Sequence, residues 1–510
     1  MRYLLILFMV IIGYSAPAQT SFNQAYDFGA LAVGFGSLEL SGDTLVVYGT
    51  ALEEGQPTFG MLFARFDTSG NLLDYRIHYD SLGDHFTTVF PNSFIKLSDG
   101  SGYVGVGQFF NSQNGYFARF DHHGELINFV AYSDNYYTNN ISREVIETND
   151  GYLICGTNYS PSTSIEVFIQ KTGLAGNKIW KKEYGANDKR DLFGSIFKLD
   201  NDELVIGASS TSINGVPLPQ TRNTSKIFAI DSLGNIKWQW ESQPSLEELG
   251  VGSLFKTQED HWAYTSARGW YNATYNEISR QPKFIIRDED FNIIRDDTFG
   301  VADFPVNGFQ KGISLNDGGW LAIGVKPVHY PIPPVPMWYN SFSGWMVRLD
   351  NQGDQVWNRV DTAFWSYETG STNYYYDAVE LLSGSLVVCG YSRTYEPVVK
   401  DWGWLIKVSK DGCLDTIFCA PLSSSPWSIP EKSVHIYPNP TSSTVCIESE
   451  GIGLWDRIEV YNASGQWVQT NQGGVGNNLD LSKLSDGVYL LRLVSQGAWI
   501  VKRIVKHSGR

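Results

Sequence analysis

The chain has 510 residues, 42% of them hydrophobic and 14% aromatic, with 50 glycines and a formal net charge of −16. Such an apolar, aromatic-rich composition excludes a disordered chain and fits a β-rich globular one. The negative charge is spread without a block of like sign, which argues against nucleic acid or an anionic membrane surface as a partner.

Arg2 precedes the apolar run Leu4–Ile12, and Ala16-Pro17-Ala18 offers a small-residue cleavage site. Residues 1–18 therefore read as a signal peptide, too short to span a membrane. No later segment reaches the roughly eighteen apolar residues a spanning helix needs, so no membrane span is expected. Length alone suggests two or three domains, unless a repeat makes one larger unit.

Residues 19–419 repeat themselves. Each unit reads as strand, tight Asp/Gly turn, strand ending in Gly, variable loop, strand, Asp-x-x-Gly turn, strand. The clearest copies of the second strand are Gly151–Gly156, Trp320–Gly324 and Ser385–Gly390, and the second turn recurs at Asp67–Gly70, Asp121–Gly124, Asp231–Gly234 and Asp350–Gly353. Degraded copies of that turn lie at Thr172–Gly176, Asp288–Asn292 and Ser409–Gly412. Seven units result, each with four short runs of β-branched and aromatic residues and without a sustained helical period. The pattern predicts an all-β, seven-bladed β-propeller, with a β-solenoid as the alternative. The segment 21–30 resembles the fourth strand of the third unit, so it is expected to close the last blade and remove two open edges. Leu414–Phe418 competes for that place.

In an up-down blade, the turns after strands one and three emerge on one face and the loops after strands two and four on the other. The first set is tight. The second includes Ser133–Asn140, Ser209–Ser225, Arg268–Gln281, Lys326–Gly344 and Ala363–Tyr376. Its aromatics Tyr136, Tyr137, Trp270, Tyr271, Trp338, Tyr339, Trp365, Tyr374, Tyr375 and Tyr376 are the candidate ligand-binding residues. Long loops on a rigid scaffold commonly carry binding, and Tyr and Trp offer large faces with a polar edge, suited to glycan or protein. The competing reading is that they only pack the loops onto the ring.

Cys413 and Cys419 lie six apart and are candidate disulfide partners in an oxidising compartment. Cys155 and Cys389 occupy equivalent strand positions and read as small buried hydrophobes. The eight histidines are scattered, with no HExxH or closed Cys/His spacing, so neither metal nor cofactor is expected. His122-His123 reads as solvated turn residues. Asp350–Asp354 has a faint calcium-loop look but lacks the distal Glu. No Gly-x-Ser-x-Gly elbow or phosphate loop occurs, and no catalytic residue is assigned. Glu144, Glu147, Asp377 and Glu380 fall on or beside the expected channel strands, where paired carboxylates could cleave glycosidic bonds but hydrogen bonding is the commoner use.

Residues 420–432, rich in Ser and Pro, form a linker. Beyond it come the runs Val434–Tyr437, Thr444–Glu448, Arg457–Tyr461, Val488–Val494 and Trp499–Lys506. The tail 433–510 contains His435-Ile436-Tyr437-Pro438-Asn439-Pro440-Thr441, Ile458–Gly465, Leu484–Leu493 and the basic end Val501–Lys506. That series resembles the C-terminal sorting domain of proteins exported by the type IX secretion system of Bacteroidota. The resemblance implies a small antiparallel β-sandwich, recognition by the secretion machinery, and a secreted or outer-surface location reached via the periplasm. The expected function is a non-catalytic binding or adhesion module; the alternative is a polysaccharide-degrading hydrolase or lyase using channel carboxylates.

Overall fold

In a computed structural model, the protein is described over residues 21–507 apart from 88–89, 133–138, 160–164, 187–188, 200–202, 213–222, 273–276, 301–307, 329–340, 365–370, 396–397, 415–433, 450–454, 463–466, 476–477 and 496–497. The chain separates into two compact units, Met1–Ile417 and Phe418–Arg510. The first is a seven-bladed β-propeller and the second a small β-sandwich. The expected signal peptide, 1–18, lies outside the described residues.

Blade one comprises Ala32–Ser41, Thr44–Leu52, Gly60–Asp67 and Leu72–His78, paired antiparallel in that order. Blades three, four and six repeat the plan from Asn139, Lys189 and Gly308. Blade two has its inner strand broken into Phe86–Thr87 and Phe94–Lys96, and blade five keeps only Leu254–Lys256 of its own. Blade seven takes Thr372–Glu380, Leu386–Thr394 and Lys400–Val408 from its own repeat, and its outer strand is Phe22–Tyr26, paired antiparallel with Lys400–Val408. The Trp404 indole N–H donates to Asn23 Oδ1 across this junction at 2.6 Å. Of the competing segment, Leu414 alone is described and belongs to no strand.

One turn, closed by the fourth residue's N–H on the first residue's carbonyl, recurs in all seven blades among the described residues, four times as Asp-x-x-Gly. In the first copy the Gly70 N–H donates to the Asp67 carbonyl at 3.0 Å, while Asp67 Oδ1 accepts the N–H groups of Ser69 and Asn71 at 2.8 and 2.9 Å. Asp350 does the same with Gln352 and Asp354, so the faint calcium loop is a self-capped turn. Glycine is needed at the fourth place because φ there is positive, +80° at Gly124, and because the preceding blade fills the space a Cβ would take: Phe63 Cδ1 would lie 2.3 Å away. The carbonyls of the turn glycines themselves anchor the outer strands of preceding blades. Tyr26, Tyr132 and Tyr184 donate their hydroxyls to Gly70, Gly176 and Gly234 at 2.6, 2.6 and 2.8 Å, and His78 Nε2 donates to Gly124 at 2.7 Å. Blade five departs from the rule. Phe291 holds the left-handed place at φ +64° and stacks on Trp240 at 4.7 Å.

The glycine ending the second strand has a different origin. Inner strands of blades one, three, four, six and seven each carry a bulge, between Phe35 and Ser37 in the first and Tyr375 and Asp377 in the last. The bulge pushes a carbonyl toward the neighbouring strand, and a Cβ on Gly49, Gly324 or Gly390 would sit within 2.0 Å of it. Only glycine tolerates that approach. Cys155 and Cys389 pair with the residues just past the bulge, Glu144 and Asp377. Both thiols are free, fully buried, and pushed well up in pKa by that burial.

Connections on the rim of the tight turns are no longer than Leu97–Gly102. On the opposite rim the strand ends stand further apart in sequence, Ser212 from Asn223, Glu241 from Leu254, Val328 from Ser341 and Asp361 from Thr372. Two expected loops are corrected. Arg268–Gln281 is largely ladder, paired as far as Asn272 with Glu277. Tyr374–Tyr376 belong to the inner strand of blade seven, because the alternation that marks a half-buried strand is lost where the bulge falls among three consecutive tyrosines.

In the tail unit, Val434–Tyr437, Thr444–Ser449 and Asn478–Asp480 form one sheet; Trp467–Val475, Trp455–Asn462, Gly487–Ser495 and Ala498–Lys506 form the other, in that order. Trp467–Val475 and Asn478–Asp480 escape the sequence reading because polar residues and Gly473-Gly474 hide their period. Val445, Ile447, Trp455, Ile458, Val460, Leu491 and Leu493 are fully buried between the sheets. Asn439 of the Pro-Asn-Pro motif ties the entry to the final strand, donating to Arg503 O and accepting from Val505 N, each at 2.9 Å.

Candidate functional site

The residue after each inner-strand bulge, and Ser253 just before the short inner strand of blade five, ties its blade to the next. Ser195 Oγ accepts the Leu254 N–H at 2.9 Å, Ser253 Oγ the Gly312 N–H at 2.8 Å, Glu144 Oε2 the Ile196 N–H at 3.3 Å and Asp377 Oδ2 the Leu38 N–H at 3.2 Å. Ser37 accepts the Ser93 N–H at 3.1 Å, and the Lys311 ammonium pairs with Asp377 Oδ1. The other two candidate carboxylates behave alike on the tight-turn side: Glu147 Oε2 accepts the Ser98 N–H at 2.8 Å and Glu380 Oε2 the Asn316 N–H at 2.7 Å. All four channel carboxylates thus join neighbouring blades.

Burial pushes Glu144 up to about 8, with Asp377 adding to the rise and the Ile196 N–H and Lys311 opposing it. Glu39, two residues past Ser37, is likewise pushed up to about 8, first by burial and then by Asp377. Sequence reasoning missed Glu39. Only the folded ring brings it near Asp377 and Lys311. Among the described residues, no three His, Cys, Asp or Glu side chains converge as a metal group.

A mixed apolar and polar cavity of ≈ 410 Å³ opens on the long-connection rim, over blades seven, one and two. Tyr376, Tyr391, Phe59, Phe86 and Phe110 supply its rings; His85, Arg393, Asp401, Thr50 and Thr87 supply its polar side chains. Tyr376 and Tyr391 are nearly parallel, 15° apart with centroids 6.0 Å distant, and Tyr374 stacks on Tyr391 at 5.4 Å. Arg393 grips Asp401 bidentately at 2.6 and 2.8 Å. The Phe59 N–H donates to His85 Nδ1 at 3.2 Å, which leaves Nε2 to carry the proton of the neutral ring. The space exists because blade one begins with the small residues Ala32-Val33-Gly34 and blade two lacks a continuous inner strand.

Of the aromatic residues singled out from sequence, Tyr376 lines this cavity and Tyr374 backs it. Tyr375 points the other way, fully buried, stacked on Trp404 at 4.4 Å and donating to Asp361 Oδ2 at 3.1 Å. Trp270 and Tyr271 pair with Ser279 and Ile278 in the ladder of blade five. Tyr136, Tyr137, Trp338, Tyr339 and Trp365 lie outside the described residues, as does Cys419. Cys413 is disulfide-bonded. The cavity residues Tyr391, Arg393 and Asp401 carried no sequence signal, being ordinary strand residues until the ring closes beside them.

Residues 435–507 match the family described as the secretion system C-terminal sorting domain. The tail is a type IX sorting domain, and the protein is exported to the cell surface or beyond, with the secretion machinery as its partner. No helix among the described residues is long and apolar enough to cross a membrane. No curated protein matches the chain. Among solved structures, the chain is similar to the β-propeller domain of the trilobed protease from Pyrococcus furiosus, with 10% identity, TM-score 0.39, and coverage of 74% of this chain and 94% of that one. It is also similar to an α-L-arabinanase from Penicillium chrysogenum (12% identity, TM-score 0.34, 77% and 98% covered). An exo-β-1,3-galactanase from Clostridium thermocellum shows 11% identity and TM-score 0.30 over 90% and 95% of the two chains. These likenesses concern the fold alone.

Proposed function

We propose that the exported propeller is a non-catalytic binding or adhesion module whose ligand docks on the long-connection rim. The observation that carries this reading is the use of the channel carboxylates: Glu144, Glu147, Asp377 and Glu380 each accept a backbone N–H from a neighbouring blade. A general acid or nucleophile needs a carboxylate poised toward substrate. These four instead hold the ring together. The rim offers what binding requires, a cavity with rigid aromatic walls and a few fixed polar groups.

The test is a glycan and protein array with the mature full chain, followed by an assay for new reducing or unsaturated ends on every polysaccharide bound. Binding without product is the expected result. Product release that disappears in Glu144→Gln or Asp377→Asn would replace this reading with the hydrolase or lyase one.

A further inference from the structure

We infer that the cavity over blades seven, one and two is a saccharide subsite that takes one end or a short stretch of a neutral glycan, an inference that rests on the binding-module reading above. Three features argue for a sugar. The stacked, near-parallel rings of Tyr376 and Tyr391 give the cavity an aromatic wall, and Phe86 also lines it. Such faces suit the C–H side of a pyranose, which is apolar and broad. Arg393 and Asp401, locked in one plane by two hydrogen bonds, present fixed donors and acceptors at the edge of that wall, the geometry that vicinal hydroxyls meet. His85 adds a ring whose Nδ1 is already committed to the Phe59 N–H.

The same pair argues for a neutral ligand. The two charges cancel within the bidentate grip, so the cavity gives no net attraction to a uronate or a sulfate ester. A peptide read by strand addition needs an open sheet edge. Here the backbone is spent: Ala32 pairs with both Leu52 and Asp401, and Thr50 with both Gly34 and Met61. A ligand in this cavity is therefore read by side chains. Its volume, ≈ 410 Å³, falls in the range of small-molecule sites and suits a sugar unit rather than a protein surface.

Calorimetric titration of the mature full chain with neutral tetrasaccharides (β-1,3- and β-1,4-glucan, xylan, mannan, galactan), and with tetragalacturonate as the charged probe, tests this. We expect binding of a neutral probe that weakens at least tenfold in Tyr391→Ala and in Asp401→Asn. His122→Ala on the opposite rim should leave it unchanged. If Tyr391→Ala fails to fold, Tyr391→Phe and Arg393→Lys keep the wall and still disturb the polar edge. Unchanged neutral-probe affinity in the cavity variants would overturn the subsite and leave a binding face elsewhere on the rim. Binding of tetragalacturonate alone, or of no saccharide while a protein is captured on the array, would overturn the ligand class. Product release that is lost together with binding in these variants would overturn the non-catalytic reading yet support the subsite.

Discussion

Asp377 in the inner strand of the last blade accepts the backbone N–H of Leu38 in the first at 3.2 Å, and the same carboxylate pairs with Lys311 of blade six. One side chain thus spans three blades at the point where the ring closes. It is 2% exposed.

Removing it leaves the Lys311 ammonium buried without its counter-charge. Asp377→Ala is expected to cost ~3–5 kcal/mol in urea unfolding, the scale for breaking a buried pair from one side. Lys311→Met added to it should recover part of that loss, because the uncompensated charge disappears. Equal stability of wild type and Asp377→Ala would show that the pair contributes nothing to closure.

The outer strand of blade seven supplies the second closure contact. Asn23→Ala deprives the fully buried Trp404 of the acceptor for its indole N–H, at a cost of ~1–3 kcal/mol. Deleting residues 21–27 exposes a whole strand edge. Limited proteolysis should then cut blade seven first; cleavage spread evenly among blades would argue that the strand does not close the ring.

Stability should decline on the alkaline side. Glu39 and Glu144 have folded values of about 8 against an ordinary 4.5, so between those pH values the native state holds protons that the unfolded chain has released. Stability then falls as pH rises through that window and levels off above it. Turn aspartates act in the opposite sense at low pH. The Asn235 N–H lowers Asp231 and the Asn292 amide lowers Asp288, so their contribution is present above the ordinary carboxylate value and lost on acidification. Tm is expected to be higher at pH 5.5 than at pH 9, with a smaller gap in Glu39→Gln/Glu144→Gln. An identical gap in that variant would remove these two groups as the cause.

Gly124→Ala and Gly42→Ala separate two costs. Both sites are left-handed, at φ +80° and +61°, but a Cβ at Gly42 meets nothing within 4 Å whereas one at Gly124 strikes the Phe63 ring. Gly42→Ala should lose ~1 kcal/mol from backbone strain, and Gly124→Ala ~3 kcal/mol once overpacking is added. Similar losses at both sites would deny the ring contact its role.

Deleting Val434–Arg510 should leave a folded propeller in the periplasm, read by fractionation and protease resistance. Asn439→Ala, which unhooks the motif from Arg503 and Val505, should reduce export while leaving the propeller's melting transition unchanged. Normal surface display of the truncated chain would remove the sorting role of the tail.

The repeat was legible because its two glycines are forced locally. One sits in a left-handed turn under a neighbouring ring, the other beneath a bulged carbonyl, and neither position accepts a Cβ. The sorting motif was legible for a similar reason: Asn439 and Thr441 make their contacts through short, fixed hydrogen bonds to the last strand. The site was not. Tyr374–Tyr376 read as a loop because three consecutive tyrosines hide a bulged strand, and two of them face the cavity side while Tyr375 enters the core.

The repeat, the blade number and the expectation that the long connections share one rim follow from local spacing, since turns and periods are encoded within a few residues, and the export address follows from the tail's resemblance to a sorting domain. The rim cavity and the channel ring do not. Tyr391 and Arg393 lie some 300 residues from Phe86 in the chain, and Glu39 is as distant from Asp377. Their meeting is decided by closure of the ring, because pairing across blades depends on where seven sheets stand around an axis rather than on any neighbour in sequence.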